Sequence, residues 1–183
     1  MPKGVPLTRQ AQAVRRQGIV RCAVRLMREG DGSVSMRRLA AAAGVGKSTL
    51  YDYFPGRDDI VAAVWEEEMA ALARRAREIA ALDLPAPERL ARILRGPAAG
   101  GAGYGPAAPV SPGQRLSAGA HRRLEALEGE HEGAVAEVIR QGVEAGLFRP
   151  MDPAAAARAA LGAVAGDRET GVALGIVLRG LAA

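Results

Sequence analysis

The chain has 183 residues, enough for one large or two small domains. Hydrophobic residues make up 49% of it and aromatic residues only 3%, so the sequence predicts a mainly aliphatic core. The net charge is +5, and residues 1–60 carry eleven lysines and arginines against five acidic residues. This uneven distribution excludes a uniformly basic protein and favours a cationic N-terminal part that binds a polyanion.

The single cysteine, Cys22, excludes an intrachain disulfide and fits a reducing compartment. Its apolar helical surroundings indicate a buried, inert thiol rather than a redox sensor. The N-terminus lacks the apolar segment of a signal peptide, and the late apolar run over residues 171–178 is too short to cross a bilayer. We therefore expect a cytoplasmic protein with no membrane partner.

Alanine and leucine are abundant and no sustained β-branched alternation occurs, so the sequence predicts an all-α fold. Residues 1–7 contain two prolines and a glycine and are expected to form a flexible arm. A first helix is predicted over Thr8–Arg28, and glycines at positions 30 and 32 end it. Its predicted apolar stripe comprises Val14, Ile19, Cys22, Ala23, Leu26 and Met27.

Two short helices joined by a tight turn are predicted next. Ser35 is a suitable N-cap, and its side-chain oxygen is expected to accept a hydrogen bond from the first turn. Gly44 ends the first helix because glycine adopts the left-handed conformation without strain. The second helix runs from about Gly46 to Tyr53. Small or apolar residues at the crossing and inward positions complete the pattern of a helix-turn-helix: Ala40, Val45, Leu50 and Phe54.

The second of these helices is the candidate DNA-reading element, because its non-core positions carry short hydrogen-bond donors, a cation and two phenols. Such side chains reach phosphates and base edges. The candidate set on this helix is Gly46, Lys47, Ser48, Thr49, Tyr51, Asp52 and Tyr53. A solvated helix of a bundle would explain the polar face, but it would not explain the turn, the small crossing residue and the flanking arginines together.

Residues 44–49 read GVGKST and end like a phosphate-binding P-loop. That motif requires a glycine five positions before Gly46, where this chain has Ala41, and it requires a strand before the loop. The sequence therefore disfavours an NTPase. No Ser/His/Asp set, carboxylate pair or metal cluster indicates another enzyme, and no cofactor is expected.

The run from Leu39 to Arg57 resembles the TetR family of bacterial transcriptional regulators. The family signature is L-A-x-x-x-G-V-x-x-x-T-L-Y-x-Y-F followed by a basic residue, matched here by Leu39-Ala40, Gly44-Val45, Thr49-Leu50-Tyr51, Tyr53-Phe54 and Arg57. The resemblance implies that Arg37 reaches the major groove from the supporting helix and that Tyr53 contacts a phosphate. It also places the N-terminal end of the first helix near the phosphate backbone, with Arg15 or Arg16 as a possible contact. Asp52 departs from the aromatic residue or histidine common at its position, and its role stays open.

A long helix is predicted from Arg57 to about Ala81. Asp58 and Asp59 lie in its first turn, where acidic residues favour the helix dipole. The N–H groups of that turn, with Arg57 beside them, can receive a DNA phosphate. The predicted inner stripe of the helix comprises Val61, Trp65, Met69, Leu72, Ala76 and Ile79.

The later chain predicts further helices around a glycine- and proline-rich loop over residues 96–113. The loop is interpreted either as a lid over a ligand cavity or as a tolerated insertion. His121 and His131 are expected to be ordinary surface or helix residues. Helices are predicted over residues 87–94, 114–129, 130–145 and 153–165, and a last one from after residue 167 to about 180. The helix over residues 130–145 can continue the one over residues 114–129.

The last two helices are apolar over too much of their surface for a monomer, which indicates an interface. The resemblance implies that they form a four-helix bundle across a twofold axis, so that two heads bind a palindromic operator. It also implies a DNA-binding domain over residues 8–56 and a regulatory and dimerisation domain over residues 57–183.

We therefore expect a homodimeric repressor that a small molecule releases from double-stranded operator DNA. The scarcity of aromatic and inward charged residues indicates an apolar effector. A regulator that needs no ligand, or an activator, remains a variant of this hypothesis. The alternative is a helical protein-interaction module with a non-specific basic head, which the cationic N-terminal part disfavours.

Overall fold

The computed structural model describes residues 8–29, 34–96, 116–166 and 171–183, and the fold there is all-α, as predicted. The predicted arm and the glycine- and proline-rich loop beyond Gly96 lie outside the described residues. Within those ranges, no helix is both long and apolar enough to cross a membrane. The helices are α1 Arg9–Glu29, α2 Met36–Ala42, α3 Lys47–Tyr53, α4 Arg57–Ala80, α5 Ala86–Leu94, α6 Ala118–Glu144, α7 Pro153–Gly166 and α8 Val172–Leu181.

Aspartate side chains cap the starts of two helices. The Gly56 N–H donates to the Asp59 carboxylate at 2.9 Å at the start of α4, and the Ala154 N–H donates to the Asp152 carboxylate at 3.0 Å at the start of α7. Ser35 occupies the N-cap of α2 with an extended backbone, but its side chain accepts no hydrogen bond there. The predicted side-chain cap of Ser35 was therefore wrong, because at this exposed position water can satisfy the N–H groups of the first turn.

The two helices predicted around residue 130 form one uninterrupted helix, α6. It begins at Ala118 rather than near residue 114, because the Ser117 hydroxyl caps it by accepting from the Ala120 N–H at 3.2 Å. At the other end, the residues after α6 return to the end of α8. Phe148 pairs with Ala182 in an isolated antiparallel bridge, and the Arg149 N–H donates to the Leu181 carbonyl at 3.1 Å.

Two hydrophobic clusters form the core, and α4 and α6 contribute to both. The first cluster combines α1, α2 and α3 with the first half of α4 and with Leu124 of α6. The second combines the end of α4 with α5, the later part of α6, α7 and α8. Trp65, with 4% of its surface exposed, belongs to the first cluster, as the sequence predicts.

Ion pairs join α4 to the helices on either side of it. Glu68 accepts from Arg28 of α1 at 2.9 Å, and Glu66 accepts from Arg123 of α6 at 2.7 Å. Both glutamates are largely covered while their arginines stay exposed. The same helix is thus tied to the N-terminal helices on one side and to α6 on the other.

The structure corrects the predicted burial of Val14 and Cys22. Val14 is 61% exposed and Cys22 is only half-buried, because both line an open groove between α1 and the turn that follows α2. His131 is buried at 5% exposure, because it lies on the inward stripe of α6 between Leu127 and Val135. His121 is exposed and faces Glu125 at 3.2 Å, as expected of a surface residue.

Gly142 packs against the ring of Phe148, and a β-carbon at this position would overlap that ring and lie 3.1 Å from Ala86. We expect Gly142→Ala to lower the free energy of unfolding by about 1–3 kcal/mol, because the overpacked ring must move. Gly133 lies in the same helix with open space around it, so Gly133→Ala should stabilise by up to about 1 kcal/mol. Urea unfolding of both variants measures these changes in the free energy of unfolding. Equal stability of the two variants would contradict the packing.

Burial lowers the pKa of the His131 imidazole below its usual value. The unfolded chain therefore binds more protons than the folded one below about pH 6.5, and the protein should lose stability there by up to about 1.4 kcal/mol per pH unit. Urea unfolding at pH 7.5 and pH 5.5 should show a smaller pH dependence for His131→Gln than for the native chain. His121→Gln is the matched control and should retain the native dependence.

Candidate nucleic-acid interface

The turn between α2 and α3 holds α3 against the protein through one face. Gly44 ends α2 with a φ of +64°, the left-handed conformation that the sequence predicts. The Val45 N–H then donates to the Ala40 carbonyl at 3.0 Å. Leu50 and Phe54, with 0% and 1% of their surfaces exposed, point into the first cluster. Burial of these two side chains leaves the other face of α3 to solvent.

The candidate DNA-binding residues divide into an exposed set and two half-buried members. Thr49 lines the groove beside α1, and Tyr53 packs partly against the first cluster, so both also contribute to packing. The remaining candidates are all exposed: Arg37 on α2, Gly46, Lys47, Ser48, Tyr51 and Asp52 on α3 or at its start, and Arg57 at the start of α4.

Lys47 and Tyr51 contact each other along the exposed face of α3. The Lys47 ammonium lies 5.9 Å from the centre of the Tyr51 ring, one helical turn away. Tyr51 is 41% exposed, so its phenol and the neighbouring ammonium are both accessible. This pair presents a cation and a hydroxyl donor side by side, the combination that binds a phosphate.

The cations on and beside α3 differ in their partners from Arg140 of α6. Among the described residues, Arg37, Lys47 and Arg57 have no carboxylate within ion-pair distance. In α6, by contrast, Arg140 pairs with Glu137 and Glu144, and its hydrogen bond lowers the pKa of the Glu137 carboxyl to about 2. The positive charge of Arg37, Lys47 and Arg57 is therefore available to an external anion, whereas that of Arg140 is neutralised.

Two features around this surface are not evident from the sequence. The guanidinium of Arg16 lies 4.8 Å from the centre of the Phe54 ring, so this candidate for phosphate contact already has a partner within the chain. An open groove of about 900 Å³ separates α1 from the turn, and its walls include Val14, Arg15, Cys22, Gly44 and Thr49. Both features depend on how α1 crosses α3, which helical periodicity alone does not indicate.

Comparison with protein families gives two matches that follow one another along the chain. Residues 19–64 match the model of the bacterial regulatory proteins of the tetR family. Residues 83–166 match the model of the tetracyclin repressor-like C-terminal domain. The first match covers the helix-turn-helix and the second covers α5, α6 and α7.

Solved structures of transcriptional regulators share this fold over nearly their whole length. PfmR from Thermus thermophilus, a TetR family regulator, is 25% identical with a TM-score of 0.63, over 97% of this chain and 100% of that one. AibR in complex with isovaleryl coenzyme A and operator DNA is 20% identical with a TM-score of 0.60, over 89% and 96%. FadR from Bacillus subtilis in complex with stearoyl-CoA is 18% identical with a TM-score of 0.62, over 90% and 98%.

No curated protein matches the chain significantly by sequence. The two family matches and the structural likeness nevertheless agree with the geometry of α2 and α3. The chain belongs to the TetR family and is a DNA-binding transcriptional regulator, not an enzyme.

Proposed function

We propose that the protein is a ligand-responsive repressor that binds a palindromic operator as a homodimer. Residues 8–56 form its DNA-binding domain, and residues 57–183 form its regulatory and dimerisation domain. The observation that carries the proposal is the exposed face of α3, which is flanked by arginines and a lysine without carboxylate partners among the described residues. Such unpaired cations bind phosphates because they displace condensed counterions from DNA.

Each candidate on and around α3 receives a role from its side chain. Arg37 reads a base edge, since its guanidinium can make two parallel hydrogen bonds to guanine. Lys47, Tyr53 and Arg57 contact phosphates. The remaining candidates supply hydrogen bonds and close backbone approach at the groove: Gly46, Ser48, Thr49, Tyr51 and Asp52.

The proposed subunit interface lies on α7 and α8. Ile176 is 59% exposed on α8, and Val172, one turn earlier, is 58% exposed. Large exposed aliphatic side chains on one helical face indicate a surface that another subunit covers. A second copy is the natural occupant, because a twofold dimer places two heads on the two halves of a palindrome.

The proposed effector is a small molecule with an apolar part. The second cluster consists of aliphatic residues such as Leu90, Ile93 and Ile139, which suit an aliphatic group better than an aromatic one. AibR and FadR, which share the fold, bind isovaleryl coenzyme A and stearoyl-CoA. An acyl group is therefore the first chemistry to test, with free coenzyme A as the control. The effector must bind the DNA-incompetent state more tightly to release the operator.

The central experiment is fluorescence anisotropy with DNA from just upstream of the protein's own coding region and with a scrambled duplex, at two salt concentrations. A repressor of this kind should bind the native duplex more tightly, and added acyl-coenzyme A should release it. Equal binding to both duplexes would contradict sequence-specific binding to this operator. Absence of binding to either would favour a protein-interaction module.

Arg37→Ala should weaken binding to the native duplex by about 1–3 kcal/mol and relax the preference at one base position. Anisotropy with single-base variants of the duplex measures both effects. Arg74→Ala, which removes an exposed arginine from α4, is the matched control for net charge and should leave the preference unchanged. Equal weakening on every sequence would make Arg37 a phosphate contact instead.

Lys47→Ala should reduce the slope of log K against log salt concentration by about one unit for each contacting head, because one phosphate contact per head is lost. Anisotropy titrations across a salt series give this slope. The variant should bind the native and the scrambled duplex more weakly than the unsubstituted protein does, and by a similar factor. An unchanged slope would remove Lys47 from the phosphate contacts.

Ile176→Glu should convert the dimer into monomers at micromolar concentration, because dimerisation would bury a carboxylate without a partner. Sedimentation velocity measures the oligomeric state. Val14→Glu is the matched control, because it places the same charge at a 61% exposed aliphatic position on α1, outside α7 and α8. A dimer that withstands Ile176→Glu would contradict the proposed interface.

A further inference from the structure

Arg16 of α1 stacks over a ring that is otherwise completely covered. Phe54 follows the last residue of α3 and is 1% exposed, and the Arg16 guanidinium lies 4.8 Å from its ring centre. Arg16 itself is exposed. The guanidinium therefore lies over a ring that is almost wholly removed from solvent, a cation–π contact that arginine favours.

Helix α3 has few other anchors. It has seven residues, and Leu50 is its only buried residue. Among the helices, α2 packs most closely on it. Phe54 caps its C-terminal end by donating its N–H to the Leu50 carbonyl at 2.9 Å. The ring of Phe54 consequently fixes the end of α3 to the core, and Arg16 fixes the ring to α1.

We propose that Arg16 is a positioning residue for DNA reading, which holds the C-terminal end of α3 through the ring of Phe54. It contacts no DNA phosphate. This inference rests on the proposed role of α3 as the reading helix. It explains why an arginine on the exposed side of α1 faces an aromatic ring, and it assigns Arg16 a different part from Lys47 and Arg37.

A stacked guanidinium and a phosphate-binding guanidinium respond differently to substitution. Methionine retains the packing on the ring without the charge, because its thioether makes favourable aromatic contacts. Lysine retains the charge but loses the planar stacking. A positioning role therefore predicts that methionine substitutes at least as well as lysine, whereas a phosphate contact predicts that only lysine substitutes.

The experiment measures Arg16→Ala, Arg16→Met and Arg16→Lys on the native and scrambled duplexes across a salt series. Arg16→Ala should weaken operator binding by the dimer about four- to twenty-five-fold, from a two- to fivefold loss at each head. Binding to the scrambled duplex should change less, and the salt slope should stay at the native value. Arg16→Met should recover part of the loss. Arg21→Ala, on the same helix without an aromatic contact, is the control and should retain the native preference between duplexes.

Hydrogen exchange on the DNA-free proteins tests the contact between Arg16 and Phe54 separately from the proposed function. Arg16→Ala should speed exchange of the Phe54 amide several-fold, and Arg21→Ala should leave it unchanged. A reduced salt slope that lysine alone restores, equal weakening on both duplexes, or unchanged exchange would each overturn the proposal. In a further outcome, Arg16→Ala speeds exchange of the Phe54 amide, but the native protein binds the native and scrambled duplexes equally. This result would confirm that Arg16 holds Phe54 but overturn its role in reading DNA. It would also refute the proposed function at this operator.

Discussion

The sharing of α4 between two hydrophobic clusters is the constraint on which the rest of the structure depends. Its first half is buried with α1, α2 and α3, and its last turns are buried with α5, α6 and α7. Because both sets of contacts are made by one continuous helix, a rotation or tilt of α4 must disturb both clusters. Glu66 and Glu68 reinforce this linkage by pairing with α6 and α1. A movement of the later helices can therefore reach α1, α2 and α3 directly through α4.

The distribution of paired and unpaired charges separates structural cations from functional ones. Arg28, Arg77, Arg123 and Arg140 each have a carboxylate partner, and such exposed pairs add little stability individually. Residues 1–60, which include α3, carry eleven lysines and arginines against five acidic residues, whereas the rest of the chain carries fourteen against fifteen. The long-range field of this cationic part therefore attracts DNA toward the surface that would read it. The same uneven distribution of charge orients the protein relative to DNA before the two make contact.

The helix-turn-helix was predictable from sequence because local chemistry determines it. Gly44 adopts the left-handed conformation, and Leu50 and Phe54 are buried, as the spacing predicts. Contacts between distant segments were not predictable. His131 was expected to be an ordinary surface or helix residue, and the packing of α6 decides that it is a buried helix residue. The stacking of Arg16 on Phe54 joins residues 38 positions apart, and no periodicity indicates it. The roles of individual residues toward DNA stay predictions, because they depend on a partner surface that the sequence does not contain.

The bridge between Phe148 and Ala182 has a consequence for the kinetics of assembly. Together with the Arg149 hydrogen bond to Leu181, it fastens the end of α8 to the connection between α6 and α7. If α8 carries the subunit contacts, its surface is already ordered in the single subunit. Association then does not include the entropic cost of ordering that helix. Encounter between two preorganised faces would then limit the rate of dimer formation. The lifetime of the dimer would depend on the aliphatic contacts alone.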